Sequence, residues 1–211
     1  MAKRIHHIRL ALNEIDASIA SAGHPKEVAL NAKGLIFVQL YAVYEYCVNA
    51  AFQAALSTIR SHLLTCDRVH PELISLALHP AFEGLADTPK KSERWLRRAE
   101  IVRKAISADP LILGNTFPGD ENKMRVEQVE TVFAVLRVAQ PAVNDPRLPL
   151  AIKELVELRN GVAHGLVSAD EIGKRFSIPD LAKRTDDMER YCNYVLAALE
   201  EHVTDPANLH R

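Results

Sequence analysis

The segment from Gly34 to Leu64 constrains the fold more than any other part of the chain. Residues Leu35 to Val38 and Leu40 to Val43 are apolar without interruption, so apolar side chains point in all directions around a helix. A helix that is apolar on all sides needs covering on several sides. This segment therefore predicts the central helix of an all-α, antiparallel helical bundle.

The remaining apolar residues also recur at helical spacing, and alternating runs typical of strands are absent. Ile5, Ile8, Leu12 and Ile15 illustrate this pattern near the N-terminus. We predict about six helices, at about residues 3–20, 34–64, 90–107, 123–139, 147–164 and 179–203.

Residues 66–120 interrupt this pattern with prolines that divide the segment into short pieces. These prolines are Pro71, Pro80, Pro89, Pro110 and Pro118. Because the segment has too little apolar content for a core of its own, we predict a single domain over 1–211. Its core covers about 1–64 and 124–204, and the proline-rich helical segment of about 66–120 is an insertion.

Charge and cysteine content exclude several classes of protein. The chain has 26 Lys and Arg against 27 Asp and Glu, so any nucleic acid must be held by a local basic patch. Cys47, Cys66 and Cys192 are far apart, which does not fit a disulfide framework or a zinc cage. With no signal peptide and no bilayer-length apolar run, we expect a soluble, cytoplasmic protein.

Arg159 occupies an unusual position. On an ideal helix, Ile152, Leu155 and Val156 form an apolar face, and Arg159 falls in the middle of that face. A permanently charged guanidinium aimed at a core is costly unless an anion pairs with it or a polar cavity receives it. The position therefore predicts an anion next to Arg159.

A second set of polar residues lies on the flank of the same helix. Glu157, Asn160 and His164 are spaced i, i+3 and i+7, which places them on one side. Arg159 and His164 lie about 140° apart on the helical wheel. They converge only if the last turn unwinds at Gly165, or if a second copy of the helix approaches across a two-fold axis.

The run Arg159-Asn160-Gly161-Val162-Ala163-His164-Gly165 resembles the R-x(4-6)-H signature of the HEPN superfamily, in the form R-N-x-x-A-H-G. It is most similar to the RiboL-PSP-HEPN branch found in bacterial toxin and defence loci. The setting also fits, because an aromatic-rich helix (Tyr41 to Tyr46) precedes the motif and one long helix follows it. The resemblance covers about residues 34–64 and 124–204.

The resemblance implies a homodimer in which two Arg-His motifs face one cleft and cleave RNA without a metal or other cofactor. His164 would act as general acid or base, and Arg159 would bind the scissile phosphate. Asn160 would orient the histidine or donate to a phosphate oxygen. Glu45 would anchor Arg159 from the central helix, and Glu157 is a further supporting residue.

The resemblance also implies partners. They are an RNA substrate, a second copy of the chain, and an antitoxin or another protein if the chain is a toxin or defence effector. No membrane is expected. Lys90–Lys104 contains seven basic residues and two acidic ones. This segment either contacts RNA or is simply a solvated helix face. The RNA-contact candidates are Lys90, Lys91, Arg94, Trp95, Arg97 and Arg98.

Two alternatives to a ribonuclease stay open at this stage. A non-catalytic HEPN module would use Arg159 to bind RNA, a nucleotide or a protein partner, and it tolerates the wide angle between Arg159 and His164. A structural helical adaptor would have Arg159 neutralised internally by Glu45, with the aromatic helix serving a subunit interface. The line formed by Glu45, Asn49 and Gln53 either offers partners or is only the solvated side of the central helix.

Overall fold

The computed structural model describes residues 1–21, 26–119 and 124–211. Within these residues the chain forms nine α-helices and no strand, apart from two isolated bridge pairs, which confirms the all-α prediction. The helices are α1 (Ala2–Ala20), α2 (Lys26–Ser61), α3 (Pro71–Ala77), α4 (His79–Ala86), α5 (Lys91–Ala105), α6 (Val126–Leu136), α7 (Leu148–Ala163), α8 (Ala169–Arg175) and α9 (Ile178–Thr204). A 3-10 helix, Pro206–Leu209, follows α9.

Helix α2 contributes more to the core than any other element. Phe37, Leu40, Tyr44, Phe52 and Leu56 are all almost fully buried. By length and mean hydropathy alone α2 would also suit a membrane span, but 56% of the window that qualifies is buried inside the protein. This burial is what a core helix requires, and it agrees with the central helix predicted from the apolar run.

The chain divides into two compact units. The first consists of Met1–Ala50, Asp120–Val129 and Ala142–Leu196, and the second consists of Ala51–Gly119, Glu130–Pro141 and Ala197–Arg211. The first unit contains α1, α7 and α8, and the second contains α3, α4 and α5. Asp120, the last residue of the predicted insertion, lies outside the described residues.

Two glycines of the first unit allow α8 to pack directly against α2. A Cβ atom on Gly34 would lie 1.9 Å from the carbonyl oxygen of Ala169, and one on Gly173 would lie 1.9 Å from that of Leu30. Only glycine permits so close an approach of two backbones. This contact was not predicted, because α8 is absent from the six predicted helices.

Several helix ends differ from the prediction. Helix α2 begins at Lys26 rather than Gly34, and α6 ends at Leu136, short of the predicted 139. Arg137, with φ of 55°, turns the chain there, and Leu63, with φ of 52°, follows the end of α2. Glycine normally occupies this left-handed region, so these two ends carry no recognisable signal in the sequence. Lys123, the predicted start of α6, lies outside the described residues.

Candidate functional site

Helix α7 presents the Arg159 motif at its C-terminal end. Pro149 lies in its first turn, and Ile152, Leu155 and Val156 are buried, as the apolar face predicts. The helix ends in a Schellman motif, in which Leu166 N–H donates to the carbonyl oxygen of Gly161 and Gly165 N–H donates to that of Val162. Gly165 has φ of 66° and is the left-handed residue that ends the helix.

Arg159 lies half-buried against the aromatic ring of Tyr41 from α2. The guanidinium carbon is 4.5 Å from the ring centroid, a cation–π contact. Its Nη1 donates a hydrogen bond of 2.9 Å to Oδ1 of Asn160. The aromatic face and the amide oxygen together fix the position of the guanidinium, but neither carries a formal charge.

Burial and a hydrogen bond fix the position of the Tyr41 side chain. Its side chain is buried, and its hydroxyl accepts a hydrogen bond of 2.9 Å from the backbone N–H of Met124. Burial raises the pKa of Tyr41, and the Met124 hydrogen bond and the charge of Arg159 only partly offset this. The phenol therefore stays neutral at physiological pH and supplies a rigid, uncharged ring beneath Arg159.

Glu45 contacts Tyr41 and does not pair with Arg159. The Tyr41 hydroxyl lies 3.4 Å from Glu45 Oε1, and no ion pair joins Glu45 to Arg159. Among the residues that the structure describes, no carboxylate comes within ion-pair distance of Arg159 at all. The ring of Tyr41, and not the carboxylate of Glu45, lies against the guanidinium. A supporting role of Glu45 stays a prediction.

His164 caps the end of α7 with its imidazole exposed. Its backbone N–H donates 3.0 Å to the carbonyl oxygen of Asn160, the i to i−4 bond of a regular α-helix. The last turn is thus intact up to His164 and does not unwind. The structure therefore shows no unwinding that would bring His164 towards Arg159 within one chain.

The other residues predicted for this helix differ in their surroundings. Glu157 is exposed and its carboxylate lies 4.0 Å from Lys153 Nζ, a weak i, i+4 pair. Asn160 accepts two hydrogen bonds: its side-chain oxygen accepts one from Arg159, and its backbone carbonyl accepts one from the N–H of His164. It therefore contacts both members of the motif. Tyr41 was missed as a site residue, although it belongs to the aromatic run quoted for the resemblance.

The sequence profile of a HEPN family, described as MAE_28990-like HEPN, matches residues 3–206. The chain belongs to the HEPN superfamily. The match spans the whole segment that the motif argument uses, including the middle where the resemblance was poor. It does not single out the RiboL-PSP-HEPN branch, which stays a prediction. No curated protein and no solved structure matches the chain significantly.

The basic stretch of this HEPN domain lies on α5, in the second unit. Arg94 Nη2 donates to the carbonyl oxygen of Pro89 at 3.2 Å, and Arg97 Nη1 donates to that of Gly84 at 2.8 Å. Lys90 forms an exposed ion pair with Glu93 at 3.2 Å. Some of the predicted RNA-contact residues thus already have partners within the chain, and their role in RNA binding stays a prediction.

The first unit also contains a groove that the sequence did not reveal, with a volume of about 490 Å³. Phe37 and Phe176 meet there with ring centroids 4.7 Å apart. Arg184 places its guanidinium carbon 4.8 Å from the Phe176 centroid and pairs with Glu154 at 2.7 Å. Like Arg159, Arg184 stacks on an aromatic ring, but its charge is compensated.

Proposed function

We propose that this HEPN domain is an endoribonuclease in which Arg159 binds the scissile phosphate and His164 transfers protons. The observation that carries the proposal is the half-buried guanidinium of Arg159, stacked on Tyr41 without a carboxylate among the described residues. A guanidinium has five N–H donors, and the hydrogen bond to Asn160 uses one of them. The others suit a phosphate, which guanidinium groups bind in a bidentate manner.

The proposed reaction is an internal transfer within RNA. His164 takes the proton of a 2′-hydroxyl while the 2′-oxygen forms a bond to the adjacent phosphorus, and the bond from phosphorus to the 5′-oxygen breaks. A second histidine donates a proton to that leaving oxygen. The products are a 2′,3′-cyclic phosphate and a 5′-hydroxyl. Arg159 stabilises the charge that develops on the phosphoryl oxygens.

The proposal requires a second copy of the chain. Each chain has one histidine at the end of α7, and on an ideal helix its position lies about 140° around the axis from that of Arg159. Two copies of α7 related by a two-fold axis supply both histidines and allow an Arg159 and a His164 from different copies to meet one phosphate. An isologous dimer of this kind is the commonest form of oligomer. A toxin or defence role is part of the same proposal.

The test is RNA cleavage by the purified protein in EDTA. We expect cleavage that leaves 2′,3′-cyclic phosphate ends, and we expect His164→Ala to abolish it while the helical content is unchanged. His210→Ala is a matched control, since His210 is half-buried near the C-terminus and its Nδ1 contacts the backbone oxygen of Arg68. An inactive wild-type protein, or a fully active His164→Ala variant, contradicts the proposal.

A second candidate is a non-catalytic HEPN module that binds an anionic ligand at Arg159. The intact last turn of α7 favours it, because the exposed His164 is not aligned with Arg159 within one chain. Binding of RNA without cleavage, lost in Arg159→Ala and kept in His164→Ala, selects this candidate. The structural adaptor is not supported, because the pair between Arg159 and Glu45 that it requires is absent from the described residues.

A further inference from the structure

Helix α5 is exposed along its whole length. None of its residues, from Lys91 to Ala105, is buried, although the helix is fifteen residues long. Its inner side is marked by Arg94 and Ile101, which are half-buried, and by the hydrogen bond from Arg97 to Gly84 of α4. The opposite side of the helix has no covering element among the described residues.

An apolar stripe runs along this exposed surface, about 120° around the helix axis from the inner side. Trp95, Ala99, Val102 and Ile106 are separated by four, three and four residues, which places them on one line along the helix. Trp95 is 59% exposed, Val102 60% and Ile106 64%. Spacing that alternates between four and three is the pattern by which one helix packs along another, and it forms a narrow seam.

Basic residues border the stripe at three positions, and the remaining border position, beside Trp95, is the exposed Leu96. Lys91 and Arg98 lie along one edge, in the g positions of a heptad in which Trp95 and Val102 occupy d, and Arg103 lies along the other edge in an e position. Charges at e and g positions determine which helix pairs with which. All three are exposed, and no acidic residue occupies these positions.

We propose that the outer face of α5, defined by this stripe and its basic borders, binds an acidic amphipathic helix of another protein. The partner would have an apolar seam of the same spacing, with Glu or Asp in its own e and g positions. Charge complementarity then aligns the two helices, and burial of Trp95, Val102 and Ile106 supplies most of the binding free energy.

The same features argue against the other occupants of this face. A second copy of the chain would place basic borders opposite basic borders in either orientation. A lipid surface is bound by a broad apolar face, whereas this stripe is two residues wide at Trp95 and Leu96 and one residue wide elsewhere. RNA gains little from the aliphatic Val102 and Ile106, and the guanidinium of Arg98 already covers one face of Trp95, at 5.0 Å from its centroid.

The test uses the full-length protein and two synthetic helical peptides without tryptophan. Both peptides have the same leucine seam over about three heptads, one with Glu at every e and g position and the other with Lys. Trp95 is the only tryptophan of the chain, so its fluorescence reports directly on the proposed face. We expect a saturable blue shift with the Glu peptide, and binding at least about tenfold weaker with the Lys peptide.

The double variant Arg98→Glu and Arg103→Glu should reverse this preference, so that the Lys peptide binds more tightly. Lys3→Glu with Lys183→Glu, at two exposed positions of the first unit, changes the net charge equally and should leave the preference unchanged. Circular dichroism establishes that both variants are folded. Equal binding of the two peptides, or no binding of either, overturns the proposal. So does a Trp95 response to anionic lipid vesicles or to single-stranded RNA in place of the Glu peptide.

Discussion

Arg159 and Arg184 belong to the same compact unit and look alike at first sight, because each stacks its guanidinium on an aromatic ring of the core. Their polar partners differ. Arg184 pairs with the carboxylate of Glu154 at 2.7 Å, whereas Arg159 donates to the neutral amide of Asn160 at 2.9 Å. Arg184 is therefore neutralised within the fold, and Arg159 keeps a net positive charge.

This difference separates a structural arginine from a candidate ligand-binding one. A half-buried charge without a counter-charge costs stability, and proteins retain such a cost mainly where function requires it. An aromatic ring can hold a guanidinium in place without using its hydrogen-bond donors or cancelling its charge. Tyr41 does this for Arg159, and it leaves the donors available to an incoming phosphate.

The largest effect should follow from removing each arginine in turn. We expect Arg159→Ala to lower RNA cleavage by about 10²- to 10³-fold, because it removes a charge that stabilises the transition state. Arg184→Ala should lower cleavage by no more than a few fold. Initial rates in EDTA, with both variants checked by circular dichroism, give the comparison. Equal losses in the two variants would remove the distinction between them.

The sequence predicted the unusual position of Arg159 but did not identify Arg184. The apolar face of α7 drew attention to Arg159, because a charged residue among Ile152, Leu155 and Val156 breaks a regular pattern. Arg184 was not identified, since its aromatic partners Phe37 and Phe176 are far apart in the chain. The sequence also could not decide which residue of α2 contacts Arg159. Tyr41 and Glu45 are four residues apart and therefore lie on the same side of that helix.

The all-α class and most helices followed from periodicity, and side-chain capping fixes the start of α9. Ser177 and Asp180 exchange hydrogen bonds there, with Asp180 Oδ2 accepting from Ser177 N–H at 2.9 Å. Helix α8 was missed because it is only seven residues long and depends on tertiary contacts through Gly34 and Gly173. A helix this short has too little periodicity to be recognised.

Separating α8 from α2 should destabilise the part of the first unit that holds Arg184. Gly173→Ala would place a Cβ atom 1.9 Å from the Leu30 carbonyl oxygen, and Phe176, which stacks on Arg184, directly follows α8. We expect a loss of about 1–3 kcal/mol in the free energy of unfolding. Gly84→Ala is the control, because its Cβ would meet only the Arg97 side chain at 3.6 Å. Urea denaturation of both variants measures the difference, and a neutral Gly173→Ala would show that α8 tolerates a wider spacing.

Changing Tyr41 should isolate the contribution of the ring beneath Arg159. Tyr41→Phe keeps the ring and loses the hydroxyl contacts with Met124 and Glu45, so we expect cleavage to stay within a few fold of wild type. Tyr41→Leu removes the cation–π contact, and cleavage should fall by about tenfold or more. If the two variants lose activity equally, the hydroxyl and not the ring positions Arg159.

The smallest effect should come from removing the carboxylate of Glu154, which pairs with Arg184. Glu154→Gln leaves Arg184 stacked on Phe176 without its ion pair, and we expect a loss of about 0.5–1 kcal/mol because the pair is partly exposed. Cleavage should not change. Glu157→Gln, which removes an exposed and more distant pair with Lys153, should have still less effect on stability. Thermal denaturation at low and high salt measures both, and a loss of activity in Glu154→Gln would place Arg184 in the functional site.

The contrast between the two arginines is tested most directly by NMR of their guanidinium groups. Protein labelled with ¹⁵N-arginine is titrated with an RNA oligonucleotide methylated at every 2′-oxygen, which binds but does not react, and the two signals are assigned with Arg159→Lys and Arg184→Lys. We predict that the Arg159 resonances shift and saturate with the ligand while those of Arg184 stay in place. A shift at Arg184 alone, or at neither arginine, would contradict the assignment of Arg159 as the anion-binding residue.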